Sequence, residues 1–381
     1  MGVYSEYLDR RMNMEQLVKE RKAQLRRIQQ VRGGRDILVY AADLRKQGAP
    51  IAIVYEDLLP IRDQLANLKG DRLDFVIETP GGVGEIAEDI VHLIRTRYDH
   101  VAMLVPGTAK SAGTIMVMAG DEILMEPGST LGPIDAQLAW QGKTFSAQAL
   151  LDGMEKIKEE VDNTHRLNRA YIPMLNNISP GELQSAENAL KFAKELVRDW
   201  LAGYKFKDWA VHSSTGAPVT EEEKKERAEE IAEQLCDHGR WLTHGRSIRI
   251  GNLHDMRLKV TDYSENAELA DAVRRYHTLL QMTFDSNIYK VFETVDSQIM
   301  RMQVAQQSRP QGSDAALVDI ECGKCKGKMK VQANLGVRKP LEAGAIGFPA
   351  DNRLTCQRCG NVMDVSDVRR SIEAQAGRKI V

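Results

Sequence analysis

Glu78-Thr79-Pro80-Gly81-Gly82 and Ala109-Lys110-Ser111-Ala112-Gly113-Thr114 are the two stretches that decide how this sequence folds. The first follows an apolar run at residues 73–77, the second follows one at residues 101–105, and each opens a segment with helical spacing. A strand, a turn and a helix, repeated in this order, indicate βαβ units around a mainly parallel sheet. We therefore predict an α/β domain.

The same two turns carry groups that suit acyl transfer. A Pro-Gly-Gly turn leaves backbone N–H groups free and lets another chain approach closely. Ser111, at a strand-to-helix turn, would present its hydroxyl at the positive end of a helix, beside the next N–H. Together these features predict a nucleophile with two converging donors for an oxyanion. The plainer interpretations are that Ser111 is a helix N-cap and that Gly81 and Gly82 only make a tight turn.

The composition is that of an ordinary globular protein. The chain has 381 residues, a formal net charge of -2 and 28% charged residues, so no overall field points to nucleic acid or an anionic membrane. Its sequence has no apolar run of about eighteen residues, and we expect no membrane span. Because the first residues lack the apolar core of a secretory signal, we predict a cytoplasmic location.

Four regions are predicted along the chain. Residues 1–34 form an amphipathic helix with a thin apolar stripe, and residues 35–265 alternate short apolar runs with helix-length segments. Residues 266–312 are rich in methionine and aromatic side chains, and we predict a helical connector that ends in a linker. Residues 313–381 hold a cysteine-bearing module with a short charged tail.

Four of the five cysteines form two Cys-x-x-Cys pairs, Cys322/Cys325 and Cys356/Cys359. Such pairs in a cytosolic chain favour a metal site over disulfides, and four thiolates suit tetrahedral Zn²⁺. A site closed by four protein ligands is structural, so we predict a zinc ribbon. Its lysines and arginines allow a protein or nucleic-acid partner, although its single aromatic residue, Phe348, offers little for base stacking. The remaining cysteine, Cys236, is expected to be a buried apolar residue.

The motifs also carry a family resemblance. Thr79-Pro80-Gly81-Gly82 with Lys110-Ser111-Ala112-Gly113 resembles the Clp-type and signal-peptide-peptidase serine peptidases of the crotonase-like superfamily. More narrowly, Leu131-Gly132-Pro133-Ile134-Asp135-Ala136-Gln137-Leu138 and Leu242-Thr243-His244-Gly245-Arg246 resemble the serine dehydrogenase proteinase family, a Clp-like branch. The resemblance covers about residues 35–262.

This resemblance implies a Clp-protease/crotonase-like spiral ββα core. It implies that Ser111 is the nucleophile and that the N–H groups of Gly82 and Ala112, beside Gly81, form the oxyanion hole. It also implies a peptide or unfolded-protein substrate and a homo-oligomer. We therefore expect a serine peptidase domain between the N-terminal helix and the zinc ribbon.

The general base does not follow directly from the resemblance. Clp-type peptidases place their histidine about where Ile134 and Asp135 stand here, and their aspartate near Gly239, beside Asp237 and His238. We favour His244 as the base and Asp135 as the group that orients it, because triads are defined by geometry rather than by chain order. His244 is nevertheless as well explained as an ordinary turn histidine.

A lysine base, as in the signal-peptide peptidases, is the alternative. The lysines in the expected range are Lys143, Lys156 and Lys158. Acidic neighbours on the same helix would raise the pKa of Lys156 and Lys158 and so disfavour them as bases. Lys143, in a glycine turn, is expected to be exposed.

Two other functions compete with peptide hydrolysis. A catalytically silent peptidase fold could act as a scaffold whose zinc ribbon binds nucleic acid or protein. A crotonase-like acyl-CoA enzyme could use the same oxyanion hole, although such enzymes usually have glycine or another small residue where Ser111 stands.

Overall fold

A mostly parallel sheet of seven strands lies at the centre of the first of two compact units, Met1–Gln303; the second unit is Val304–Val381. The structure is a computed structural model that describes residues 2–140, 143–212, 215–303 and 314–381. Within the described residues, no helix combines the length and the apolar character needed to cross a bilayer.

The strands of the first unit are β1 (Asp36–Ala42), β2 (Arg72–Glu78), β3 (His100–Leu104), β4 (Thr108–Ala109), β5 (Glu122–Met125), β6 (Thr130–Leu131), β7 (Gln137–Trp140), β8 (Lys143–Ser146), β9 (Thr261–Asp262), β10 (Ile288–Glu293) and β11 (Gln298–Met302). The main sheet has the order β11-β10-β1-β2-β3-β5-β9. Its strands are parallel from β1 to β9, whereas β10 pairs antiparallel with both β1 and β11.

The helices of this unit are α1 (Val3–Asp9), α2 (Met14–Val31), α3 (Leu58–Ala66), α4 (Gly84–Arg95), α5 (Ala112–Met118), α6 (Ala147–Thr164), α7 (Ile172–Leu175), α8 (Pro180–Trp200), α9 (Glu221–Cys236), α10 (His238–Trp241), α11 (Ile250–Asp255) and α12 (Ala267–Phe284).

Alternating residues of the strands form two separate cores. Leu38 and Phe75 point to the layer that contains α4, α5, α8 and α9. Their neighbours Val39 and Val76 point to the opposite layer, where Leu25 of α2 and the apolar residues of α12 cover the sheet. Because side chains on a strand alternate between its two faces, this pattern produces helices on both sides of the sheet. The predicted α/β fold is confirmed.

Two predicted elements differ from the observed ones. The predicted N-terminal helix is two helices, and the second, α2, has Asn13 as its N-cap, where the side chains of Asn13 and Gln16 form a capping box. The short apolar run at residues 51–55 forms no strand of the main sheet and contributes one isolated parallel bridge, between Ile53 and Gly82.

The helical connector predicted for residues 266–312 is wrong beyond Phe284, where α12 ends. Strands β10 and β11 follow, and both belong to the main sheet. All six residues of β10 are buried, so its sequence lacks the alternation of a half-buried strand, and Lys290 and Glu293 interrupt its apolar residues. The predicted linker at residues 308–314 lies almost wholly outside the described residues.

The second unit contains a three-stranded sheet, a hairpin and one helix. These are β12 (Ala315–Glu321), β13 (Lys328–Asn334), β14 (Ala345–Gly347), β15 (Arg353–Thr355), β16 (Val362–Asp364) and α13 (Ser366–Ala376). Buried Val331 and Leu354 pack in one small core with Cys322 and Cys356. The cysteines are therefore part of the packing of this unit.

Candidate active site

The two glycine-containing turns are in direct contact. The Thr79 N–H donates to the carbonyl of Thr108 (2.9 Å), and the Lys110 N–H donates to the carbonyl of Thr79 (3.0 Å). A Cβ atom placed on Gly81 would lie 2.7 Å from the Cβ atom of Ser111, and Gly81 has a φ of +100°. Only glycine fits such an approach and such a φ. The Pro-Gly-Gly turn thus lies against the residue that we predict to be the nucleophile.

Ser111 has an unusual backbone conformation for a residue with a side chain. Its φ is +50° and its ψ is −119°, at the junction between β4 and α5. Within the described part of the chain, its hydroxyl makes no capping hydrogen bond to the helix. The ordinary N-cap interpretation is therefore not supported. Strained non-glycine residues of this kind cluster at functional sites.

The backbone N–H groups of Gly81, Gly82 and Ala112 differ in their hydrogen bonding. The Gly81 N–H donates to the hydroxyl of Thr79 (3.2 Å). Among the described residues, no hydrogen bond uses the N–H of Gly82 or of Ala112. A side chain at Gly82 would overlap the backbone of Ile53, which accepts a hydrogen bond from Val83 and donates one to Gly81. Gly81 therefore shapes the turn, whereas Gly82 and Ala112 keep free donors.

A cleft of about 790 Å³ brings most of the predicted site residues together. Ser111, Gly82, Ala112, Asp135 and His244 all line it. Its other walls are mostly apolar and include Ile53, Val54, Val83, Ile115, Ile134, Ala189 and Phe192. The α8 residues in this wall were not predicted, because only tertiary packing brings a helix so distant in sequence to the cleft.

Asp135 is buried and is contacted by four polar side chains. It accepts hydrogen bonds from Ser146 (2.6 Å, to Oδ1) and from the amide of Gln137 (2.8 Å, to Oδ2). Its Oδ2 also lies 3.4 Å from Nδ1 of His238 and 3.8 Å from Nδ1 of His244. Asp135 thus faces two histidines, of which only His244 lines the cleft among the described residues.

These contacts change the acidity of Asp135. Burial alone would raise the pKa of this carboxyl group, but the nearby His244, the hydrogen bond from Ser146 and the nearby His238 outweigh burial and lower the pKa. Asp135 is therefore a carboxylate near neutral pH. A carboxylate in this position can fix the orientation of a histidine ring.

The resemblance leads one to expect a histidine near Ile134 and Asp135 and an aspartate near Gly239, beside Asp237 and His238. In the structure, the carboxylate of Asp135 instead faces His238 and His244. The chain can therefore pair a carboxylate with a histidine at the cleft although no histidine stands at residue 134 or 135.

The lysines weighed as alternative bases do not approach the cleft where they are described. Lys156 and Lys158 are exposed, and Lys158 pairs with Glu155 (3.0 Å), a contact that raises the pKa of Lys158. The side chain of Lys143 lies outside the described residues. The structure thus offers no support for Lys156 or Lys158 as the base.

The four paired cysteines converge in the second unit. Their sulfur atoms all lie within 4.8 Å of one another and could hold a metal ion. Cys322 Sγ is 3.7 Å from Cys359 Sγ, and Cys325 Sγ is 3.7 Å from Cys356 Sγ. These separations suit four thiolates around one tetrahedral ion. Cys236 lies outside the cluster, and burial raises the pKa of its thiol to about 12.

Two uncharacterized archaeal proteins are similar to this chain in sequence. Over 258 residues, the chain is 25% identical to an uncharacterized protein of Methanocaldococcus jannaschii; the aligned region is 65% of this chain and 74% of that protein. A second uncharacterized protein of the same organism is 26% identical over 163 residues, 42% of this chain and 52% of that protein.

Similar solved structures include two proteases. The 1510-N membrane-bound stomatin-specific protease is 16% identical, with a TM-score of 0.32 over 57% of this chain and 79% of that one. ClpP1 from Listeria monocytogenes is 13% identical, with a TM-score of 0.27 over 57% of this chain and 90% of that one.

The family comparison covers the part of the chain that carries both turns. Residues 4–179 match the model of the ClpP-like SDH-type serine proteinases. This range includes Ser111 and Asp135, whereas His244 lies beyond it. Over residues 4–179, slightly less than half of its length, the chain is similar to the ClpP-like SDH-type serine proteinases.

Proposed function

We propose that this protein is a serine peptidase that hydrolyses peptide bonds through an acyl-enzyme at Ser111. The observation that carries the proposal is the convergence, in one cleft, of the strained Ser111 with the amides of Gly82 and Ala112, whose N–H groups have no hydrogen-bond partner in the part of the chain that the structure describes. Donors fixed in place before the reaction stabilise the developing oxyanion more effectively than mobile ones.

The proposed reaction uses His244 as the general base and Asp135 as its orienting carboxylate. His244 takes the proton of the Ser111 hydroxyl as Oγ attacks the carbonyl carbon of the substrate. The amides of Gly82 and Ala112 bind the resulting oxyanion. His244 then donates this proton to the leaving amine as the peptide C–N bond breaks. In the second half of the reaction, His244 takes a proton from water as the water oxygen attacks the acyl carbon, and it returns the proton to Ser111 Oγ as the ester bond breaks and the acid leaves.

Labelling with a fluorophosphonate tests this proposal directly. We expect the folded full-length protein to be labelled at Ser111 and the Ser111→Ala variant to remain unlabelled. A matched control is Ser185→Ala, which removes another serine that lines the cleft. A folded wild-type protein that takes up no label, or label that survives in Ser111→Ala, would refute the acyl-enzyme.

A catalytically silent scaffold is the second candidate, and one distance favours it. Nδ1 of His244 lies 3.8 Å from Asp135 Oδ2, too far for a hydrogen bond. Catalytic hydrogen bonds are often long without substrate and shorten when it binds, so we rank hydrolysis first. The labelling experiment separates the two functions, because a silent site gives no labelled serine.

We also propose that the four-cysteine cluster binds one structural Zn²⁺. Four convergent sulfur ligands match the preference of this ion and leave no open position for catalysis. Assembly into a homo-oligomer, a cytosolic location and a protein or nucleic-acid partner for the ribbon stay predictions.

A further inference from the structure

Lys110, the residue before the proposed nucleophile, contacts the loop that carries His244. Its Nζ donates to the carbonyl of Arg246 (2.9 Å), to the carbonyl of Gly245 (3.3 Å) and to the hydroxyl of Ser247 (3.1 Å). An ammonium group has three N–H donors, so these three oxygen acceptors satisfy it completely. The contact joins two segments that are far apart in sequence.

The aliphatic part of Lys110 reaches this loop over a glycine. A Cβ atom placed on Gly132 would lie 2.5 Å from Cδ and 3.3 Å from Cα of Lys110. Gly132 does not have a positive φ, so its backbone conformation would accept a residue with a side chain. What prevents a side chain at this position is the space that Lys110 already fills. Gly132 therefore leaves the space that the lysine occupies.

The loop that carries His244 has few other attachments nearby. On its C-terminal side, Ile248 forms an antiparallel bridge with Leu131, with N–H to O distances of 2.8 and 2.9 Å. On its N-terminal side, α10 ends at Leu242, which has a φ of +66°. The His244 side chain is 36% exposed, and its polar contacts within the described residues are the long one to Asp135 and one of 3.5 Å to Gln137. Lys110 is thus the side chain that ties this loop to the nucleophile turn.

We propose that Lys110 is a positioning residue: it fixes the loop at residues 244–247 against the turn that holds Ser111, and so sets the distance between nucleophile and base. This inference rests on the proposed peptidase function. Lys110 belongs to the same backbone turn as Ser111, and its acceptors directly follow His244. Any shift of one catalytic group is therefore transmitted to the other.

Lys110 does not act as the base in this arrangement. Among the described residues, it is not one of those that line the cleft, and its ammonium is held by the three oxygens. Burial and the nearby Arg249 lower its pKa. A neutral amine would have only two N–H donors for three acceptors, so the contact depends on the protonated lysine.

The chain offers a control for a lysine with a purely structural role. Lys46 donates to the carbonyls of Phe284 (2.6 Å) and Ser286 (2.6 Å), and so joins a surface turn to the end of α12. It is not among the described residues that line the cleft. Lys46→Met therefore removes a similar lysine-to-backbone contact at a site unrelated to the proposed chemistry.

Hydrogen exchange of the full-length protein tests the contact without reference to activity. In Lys110→Met, we expect the amides at residues 244–247 to exchange about tenfold faster, while the rest of the first unit keeps its protection. Gly132→Ala should give the same local change, because it displaces the lysine without removing it. Lys46→Met should leave this loop unchanged. Equal exchange in wild type and Lys110→Met would overturn the proposal.

Fluorophosphonate labelling of Ser111 then tests the catalytic consequence. We expect Lys110→Met and Gly132→Ala to slow labelling by about 100-fold, because small displacements of reacting groups cost this much. Lys110→Arg, which keeps the charge and the donors, should recover part of the rate, and Lys46→Met should label as fast as wild type.

The two proposals fail in different ways. An unlabelled wild-type protein would refute the peptidase function while leaving the exchange result valid for the contact. A labelled wild type with an equally fast Lys110→Met variant would refute the positioning role alone. If Lys110→Met does not fold, Gly132→Ala and Lys110→Arg carry the same comparison.

Discussion

Nε2 of His277 lies 2.7 Å from a carboxylate oxygen of Glu78, the residue directly before Thr79-Pro80-Gly81-Gly82. Burial alone would lower the pKa of His277, but attraction to Glu78 outweighs burial and raises the pKa above its ordinary value of 6.5. The pair joins α12 to the end of β2, where the Pro-Gly-Gly turn begins.

The His277–Glu78 pair predicts a pH dependence of stability. A histidine whose pKa is raised in the folded state stabilises that state fully below its unfolded pKa, and this contribution is lost as the pH rises through the folded pKa. We therefore expect the free energy of unfolding of the wild type, relative to His277→Gln, to fall as the pH increases from about 6.5. Urea unfolding of both proteins at several pH values measures this difference, and a difference independent of pH would contradict it.

The two histidines that face Asp135 should differ in their effect on the reaction. His244→Ala is expected to slow labelling of Ser111 by about 100- to 10,000-fold, because a general base contributes this much. His238→Ala, which removes the other histidine near the same carboxylate oxygen, should change the rate little, since His238 is not among the described residues that line the cleft. The reverse order of effects would identify His238 as the base.

The four-cysteine cluster should bind one zinc ion per chain. Cys356→Ser removes a buried ligand, and we expect loss of the metal together with loss of ordered structure in residues 314–381, because this unit has only small apolar cores. Elemental analysis and limited proteolysis follow the two effects. Cys236→Ser, at the cysteine outside the cluster, should keep the zinc. A Cys356→Ser protein with full zinc content would show that the cluster is not the site.

A buried ion pair should hold α2 against the sheet. Nε of Arg21 lies 3.0 Å from Glu293 Oε1, and both side chains are fully buried. Arg21→Met would leave the Glu293 carboxylate with too few partners, and we expect the free energy of unfolding to fall by about 3–5 kcal/mol. On the same helix, Arg26 forms an exposed pair with Asp296, and Arg26→Met should cost less than about 1 kcal/mol. Equal effects of the two substitutions, measured by urea unfolding, would contradict this.

The central strands could be predicted because their local signals agree with the fold. The runs at 73–77 and 101–105 are short, apolar and followed by glycine-containing turns, and they lie in or overlap β2 and β3. β10 gave no comparable signal. It contains Lys290 and Glu293, which are buried only because Asp57 and Arg21 pair with them from distant parts of the chain. A lysine and a glutamate in a fully buried strand cannot be anticipated without those partners.

The candidate site could be predicted in part for the same reason. Ser111, Gly81 and Gly82 stand in turns whose local sequence restricts the backbone. The second histidine beside Asp135, the α8 wall of the cleft and the contact from Lys110 to the His244 loop depend on segments that meet only in the folded chain. Local sequence patterns carry no information about such contacts.

The place of β10 beside β1 bears on how the protein is made. During translation β1 emerges long before β10, so one of its edges stays bare until residues 288–293 leave the ribosome, near the end of the first unit. A bare apolar edge is a template for unwanted pairing between chains. Nascent chains that stop before residue 288 should therefore aggregate or bind chaperones, and release of β10 should mark the moment at which the unit becomes resistant to protease.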